Sequence, residues 1–276
     1  MQEAEVLYIN QNEHLRAKIE TQTREDRFIA YCAAQFPKHK IAKSNPILHT
    51  IRAIKEPEEI EVMQHACNIT EIGFRKVLQM IQPGVWEYEI EAELSYHFLK
   101  NRADGFAYTP IVASGNNANV LHYIENNKQC QAGEVILMDV AAAYAKYSSD
   151  LTRVVPVSGR FTDRQKQVYN ALLNVKNQTT NLLTPGLSWK DYNKEVGKIM
   201  TSALLDLKLI DQADIKNAPA EKPAFRKYFM HGNSHFLGLD THDYGLQTEP
   251  MQANMVLTVE PGISVSYTHL TLPTIA

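Results

Sequence analysis

The chain nearly repeats itself, and a repeat restricts topology more than any single residue's propensity does. A helical periodicity from about Glu58 to Ile81 breaks at Pro83-Gly84, and Val85-Trp86-Glu87-Tyr88 then opens a second helix that reaches about Lys100. Later, Thr162-Asp163 caps a helix through about Leu183. That helix breaks at Pro185-Gly186, and Leu187-Ser188-Trp189-Lys190-Asp191-Tyr192 opens another. Both halves read helix, Pro-Gly, Trp, Tyr, helix, and the chain's two tryptophans stand about a hundred residues apart in matching places. A region rich in strand formers follows each helix pair. Ordinary recurrence of helix-stop signals would give the same punctuation. A duplicated α+β unit, with helices packed on antiparallel sheet, also accounts for the strand regions.

Ahead of the repeat, residues 1–50 hold an apolar run at Val6-Leu7-Tyr8-Ile9, a polar stretch, and a helix around Arg27 to Phe36 that ends before Pro37. This is too little for an independent core, so it reads as the remnant of an N-terminal domain with its linker. Asn45-Pro46 punctuates the chain, and Lys55-Glu56-Pro57-Glu58-Glu59 opens the long helix with proline in the first turn and acids at its positive end. A unit spanning 51–263 is expected from there. With 44% hydrophobic and 21% charged residues the whole chain has ample core, and its net charge of -3 supplies no basic stripe for a phosphate backbone, so nucleic acid is not an expected partner. The longest apolar runs are strand-length, and Glu3, Glu5, Asn10, Gln11 and Glu13 lie where a signal peptide needs an apolar block. A cytoplasmic protein with no membrane association is expected. Cys32, Cys67 and Cys130 lack any paired spacing and read as buried free thiols.

The chemistry lies in the strand regions. Val135-Ile136-Leu137-Met138-Asp139 and Tyr147 to Val155 are two β-type runs. If they fold symmetrically about Tyr144 and Ala145, Asp139 faces Asp150 across the hairpin. Two opposed carboxylates at the end of apolar strands repel each other and lose hydration, a cost that a divalent cation between them reverses. A strand-end acid paired to Arg153 is the competing account of Asp150, and a turn acid that of Asp139. Downstream, His231-Gly232-Asn233-Ser234-His235-Phe236-Leu237-Gly238-Leu239-Asp240-Thr241-His242-Asp243 packs three histidines among glycines and apolar residues. One such histidine is usually a satisfied core residue; three beside an aspartate pair point to a site. Glu260 closes an apolar run and precedes Pro261-Gly262. Asp, Asp, Glu and one imidazole suit manganese, cobalt or zinc better than a thiolate-seeking metal.

The Asp-x10-Asp pair, the His-Gly-x-Ser-His-x-Leu-Gly-Leu-Asp-x-His-Asp segment and Thr-Val-Glu-Pro-Gly, in this order, resemble the pita-bread metallopeptidases over about residues 47–263. Ser114 to Tyr123 and the Ile54-Lys55 with Glu58-Glu59-Ile60 region add to the likeness, which is nearest to the Xaa-Pro aminopeptidases (aminopeptidase P). The resemblance implies a pseudo-twofold α+β pita-bread fold and two divalent ions, Mn2+ foremost. Asp139 would bind one ion, Asp150 both and His235 the other. Glu260 would ligate and act as general base, with His122, His231 and His242 binding substrate and relaying protons. It implies release of the first residue of peptides with proline second, and homo-oligomers of the full-length protein. Asn233 and Thr241 depart from the family's mostly apolar choices and are expected to tune substrate fit. Prolidase, methionine aminopeptidase and a metal-free pita-bread binding module are the alternatives. The family's fifth ligand, a glutamate after the Glu-Pro-Gly turn, has no counterpart, because residues 264–276 contain no acid. These residues read as a non-native tail, the chain as a fragment, and weak or absent activity as the expectation.

Overall fold

A computed structural model describes residues 4–10 and 21–264; all of the expected non-native tail except Ser264 lies outside the described residues. Strand β1 (Val6–Ile9), helix α1 (Arg24–Gln35) and strand β2 (Lys40–Lys43) form a small β-α-β unit whose strands pair in parallel. Thr23 caps α1 by accepting from the Asp26 amide. Asn45-Pro46 does not merely interrupt the chain. It begins helix α2 (Asn45–Ala53), with the proline in the first turn, where its missing N–H costs nothing.

Helices α3 (Pro57–Val77) and α4 (Glu87–Lys100) pack against each other, as do α5 (Asp163–Asn181) and α6 (Trp189–Asp206), which is followed by the short α7 (Gln212–Asn217). Between the pairs lie β3 (Gly105–Phe106), β4 (Ile111–Ser114), β5 (Val135–Asp139), β6 (Ala142–Tyr144), β7 (Tyr147–Ser148) and β8 (Thr152–Pro156). They form two three-stranded antiparallel sheets, ordered β3-β6-β7 and β4-β5-β8. Alternation along β5 feeds two cores. Ile136 and Met138 face α3 and α4, while Val135 and Leu137 face Tyr123 and Val154. Asp139 ends β5 on the latter face. A third core, centred on Leu172, Tyr192, Met200 and Leu204, belongs to α5 and α6. The α3 packing line runs through Met63, Ala66, Ile69, Thr70, Gly73 and Val77, which leaves Cys67 exposed, contrary to expectation; Cys32 and Cys130 are buried and all three are free.

The repeat exists, and its best landmark is backbone. Gly84 N–H donates to the Cys130 carbonyl (2.8 Å) and Cys130 N–H to that of Val85 (2.8 Å); Gly186 donates to Met251 (2.8 Å) and Met251 to Leu187 (2.9 Å). Both glycines have positive φ, 98° and 93°. This correspondence aligns Trp86 with Ser188, so the tryptophans are one place out of step. Trp86 caps α4 and is 37% exposed, whereas Trp189 is the first residue of α6, 5% exposed, in the place that buried Glu87 fills in the other half. From Cys130 and Met251 the two halves advance together, and Asp139 corresponds to Glu260. The second strand pair is reduced to extended backbone. Leu237 N–H bonds the Val256 carbonyl (3.1 Å), Thr258 that of His235 (3.0 Å) and Glu260 that of Asn233 (2.9 Å).

Candidate metal centre

The hairpin register differs from the symmetric expectation. The β6–β7 turn falls at Ala145 and Lys146, with φ of 49° and 71°, so Tyr144 pairs with Tyr147 and Asp139 with Thr152. Asp150 lies two residues before Thr152, diagonal to Asp139 instead of opposite it. It sits in the irregular stretch between β7 and β8, which is anchored on one side by the Val140 N–H to Leu151 carbonyl bond (3.0 Å). On the other side the Ser149 hydroxyl meets that of Thr70 (2.7 Å) and donates to the Ala142 carbonyl (2.7 Å), fastening the hairpin to α3.

The two acids still converge. The Tyr108 hydroxyl contacts Asp139 Oδ1 at 2.6 Å and Asp150 Oδ1 at 3.1 Å. Burial, and then the charge of Asp150, push the Asp139 carboxyl up to about 7. Tyr108 itself is held well above an ordinary phenol by burial and by both acids. His235 Nε2 lies 2.9 Å from Glu260 Oε1 and 3.4 Å from Asp150 Oδ2. Burial opposes a charged ring there, but hydrogen bonds to Asp150 and Glu260 outweigh it and raise His235 to about 10. Burial would lift Glu260, yet His235 and Thr258 hold it below the usual range. Thr258 Oγ1 serves both ligands, donating to Glu260 Oε1 (2.7 Å) and accepting from the His235 N–H (3.0 Å).

Ligand atoms of Asp150, His235 and Glu260 lie within 4.8 Å of one another. Two carboxylates share one imidazole, and a third carboxyl has its charge suppressed by burial. This donor set fits a hard or borderline divalent cation, which would replace the charge that His235 now supplies. His235 Nδ1 is 2.8 Å from the Phe236 carbonyl, which directs Nε2 at the acids. Asp139 stands outside the triad and joins it through Tyr108.

The remaining expected residues are placed unequally. The exposed His242 ring packs 4.2 Å from that of His235. His231 lies edge-on to Phe229 at 5.0 Å, and its charge is among the influences lowering Glu260. His122 is exposed with φ 56°, on a loop whose ends are tied to Glu87, which accepts from the Ser114 (2.6 Å) and Lys128 (2.9 Å) amides. Asn233 is 2% exposed and donates to the Tyr192 hydroxyl (2.7 Å), so it faces the core and not a substrate. Thr241 Oγ1 donates to the Ala107 carbonyl at 3.4 Å. Tyr108 escaped the sequence reading, and Thr258 was visible only as part of the Thr-Val-Glu-Pro-Gly run.

Residues 61–269 match metallopeptidase family M24. The chain belongs to that family. This M24 chain is 38% identical over 251 residues to an Xaa-Pro aminopeptidase of Haemophilus influenzae, covering 90% of the chain and 57% of the relative. It is 37% identical to that of Escherichia coli, over 80% of the chain and 51% of the relative. To human Xaa-Pro aminopeptidase 3 it is 36% identical, over 83% and 45%. It thus spans about half the length of the curated relatives it matches. The structure of Zn-substituted E. coli aminopeptidase P in complex with product superposes with a TM-score of 0.80 at 31% identity, covering 95% of this chain and 60% of that one. The pita-bread fold is thereby established.

Proposed function

We propose that this M24 chain carries the catalytic part of an aminopeptidase that releases the first residue of peptides whose second residue is proline. The convergence of Asp150, His235 and Glu260 within 4.8 Å, with Asp139 attached through Tyr108, carries the reading. Two divalent ions, Mn2+ foremost and Co2+ or Zn2+ as substitutes, would be held by Asp139, Asp150, His235 and Glu260. When bound they supply an acidified water and polarise the scissile carbonyl. Glu260 takes the proton from the attacking water and delivers it to the leaving proline nitrogen. His242, His231 and His122 orient the peptide. Three free cysteines accord with a reducing, cytoplasmic setting. Among the described residues no helix is long and apolar enough to cross a membrane.

The test is calorimetric titration with Mn2+, followed by an Xaa-Pro-Yaa tripeptide assay against a control without proline. Metal binding and cleavage ahead of proline, with the control peptide left intact, are expected. Cleavage confined to Xaa-Pro dipeptides would make it a prolidase. No metal and no cleavage would sink the enzyme reading.

A further inference from the structure

The last turn of α2 and the segment that joins it to α3 reach the loop carrying His242 through two cations, Arg52 and Lys55. Arg52 Nη2 lies 2.7 Å from Asp240 Oδ2 and 2.5 Å from Asp243 Oδ1, while Lys55 Nζ lies 3.3 Å from Asp243 Oδ2. The Lys55 and Asp243 side chains are each 1% exposed, so without Asp243 the Lys55 ammonium would be stranded away from water, whereas Asp243 without Lys55 keeps Arg52. Arg52 is a quarter exposed and also lies over the Tyr244 ring, 4.9 Å from its centroid.

The loop is closed by backbone bonds as well. Asp243 N–H donates to the Phe236 carbonyl (2.9 Å), Gly238 to Asp240 (3.1 Å) and Ser148 to Gly238 (2.8 Å). A Cβ on Gly238 would run into the Asp243 carboxylate and Lys55 Cε, so the absent side chain is what admits this ion pair. His242 stands between the two gripped aspartates, its ring 4.2 Å from that of His235.

We propose that Arg52 and Lys55 are positioning residues: by gripping Asp240 and Asp243 on either side of His242, they set its ring against His235. This deepens the reading of His242 as a peptide-binding group and rests on it. The end of α2 and the linker ahead of α3 thereby become part of the substrate site's geometry, acting through Asp240 and Asp243. A clamp that merely held α2 down would leave the His242 ring where it is.

The test is a carbon–proton NMR spectrum of the chain with 13C-labelled histidine, in which His242→Gln assigns the His242 signal. Lys55→Met and Arg52→Gln are expected to shift and broaden that signal while His65 and His97 on α3 and α4 hold theirs, and Arg52→Lys is expected to restore it. In the tripeptide assay KM should rise about tenfold with Mn2+ affinity little changed, the scale usual for groups that orient a site from behind. A cooperatively folded Lys55→Met or Arg52→Gln protein whose His242 signal is unmoved overturns the proposal. Should Lys55→Met fail to fold, the partly exposed Arg52 decides alone. The spectrum needs no turnover, so failure of the peptidase reading would appear separately, as absent cleavage by the unaltered chain.

Discussion

Replacing Asp139 by asparagine should stabilise the metal-free protein, although it removes a candidate ligand. The carboxyl is raised from 3.8 to about 7 by burial and by Asp150. A raised folded-state value means that the stability present below pH 3.8 is lost as pH climbs to about 7. About three units at roughly 1.4 kcal/mol each set a ceiling of about 4 kcal/mol. The Tyr108 hydrogen bond, 2.6 Å long, weakens when its acceptor becomes a neutral amide, which returns part of that. A net gain of roughly 2 kcal/mol corresponds to a rise in Tm of roughly 4–8 °C for a chain of this size. Thermal melts in EDTA at several pH values measure it. The gap between variant and parent should open from pH 4 to 7 and stay constant above. Saturating Mn2+ should then invert the order, because at a hundredfold excess over Kd it adds roughly 2.7 kcal/mol to the protein that binds it. An Asp139→Asn protein less stable than its parent in EDTA at pH 8, or a gap independent of pH, would refute the argument.

Removal of His235 acts with the opposite sign. Its raised value, about 10, adds stability that is complete below pH 6.5 and lost toward 10, so metal-free His235→Ala should melt below the parent at pH 6, with the deficit vanishing near pH 10. Calorimetry should find no tight Mn2+ site in it. Tyr108→Phe leaves both carboxylates without their shared donor and should weaken Mn2+ affinity about tenfold or more. Gly84→Ala and Gly186→Ala place a side chain at φ near 95° in equivalent turns, so urea titration should show similar losses, about 1–3 kcal/mol each.

What the sequence revealed and concealed follows from how far each signal reaches along the chain. Helix caps and Pro-Gly breaks are local, and they marked α3, α4, α5 and α6 to within a few residues. The tryptophans misled by one position because an eye for rare residues aligned side chains where the repeat is kept by backbone bonds at Gly84 and Gly186. The hairpin register slipped because Ala145 and Lys146 adopt positive φ with no glycine or asparagine to announce it. Helix α2 was missed because a proline that opens a helix looks like one that ends something. Three of the four proposed ligands converge, and the fourth is linked to them by a tyrosine that no motif could have named, since only the folded chain brings Tyr108 to residues 31 and 42 places away. Asn233, a departure from the family's mostly apolar choice, was expected to tune substrate fit, but it is buried and donates to the Tyr192 hydroxyl.

The correspondence of Asp139 with Glu260 bears on the order of assembly. Each half of the chain ends one extended segment in an acid, and neither half alone holds the imidazole together with both. A cation added to the refolding chain therefore finds only two of its four donors on either half until the halves have docked. Metal uptake would time that docking, arriving after the helices of either half have formed and sealing a closure already made.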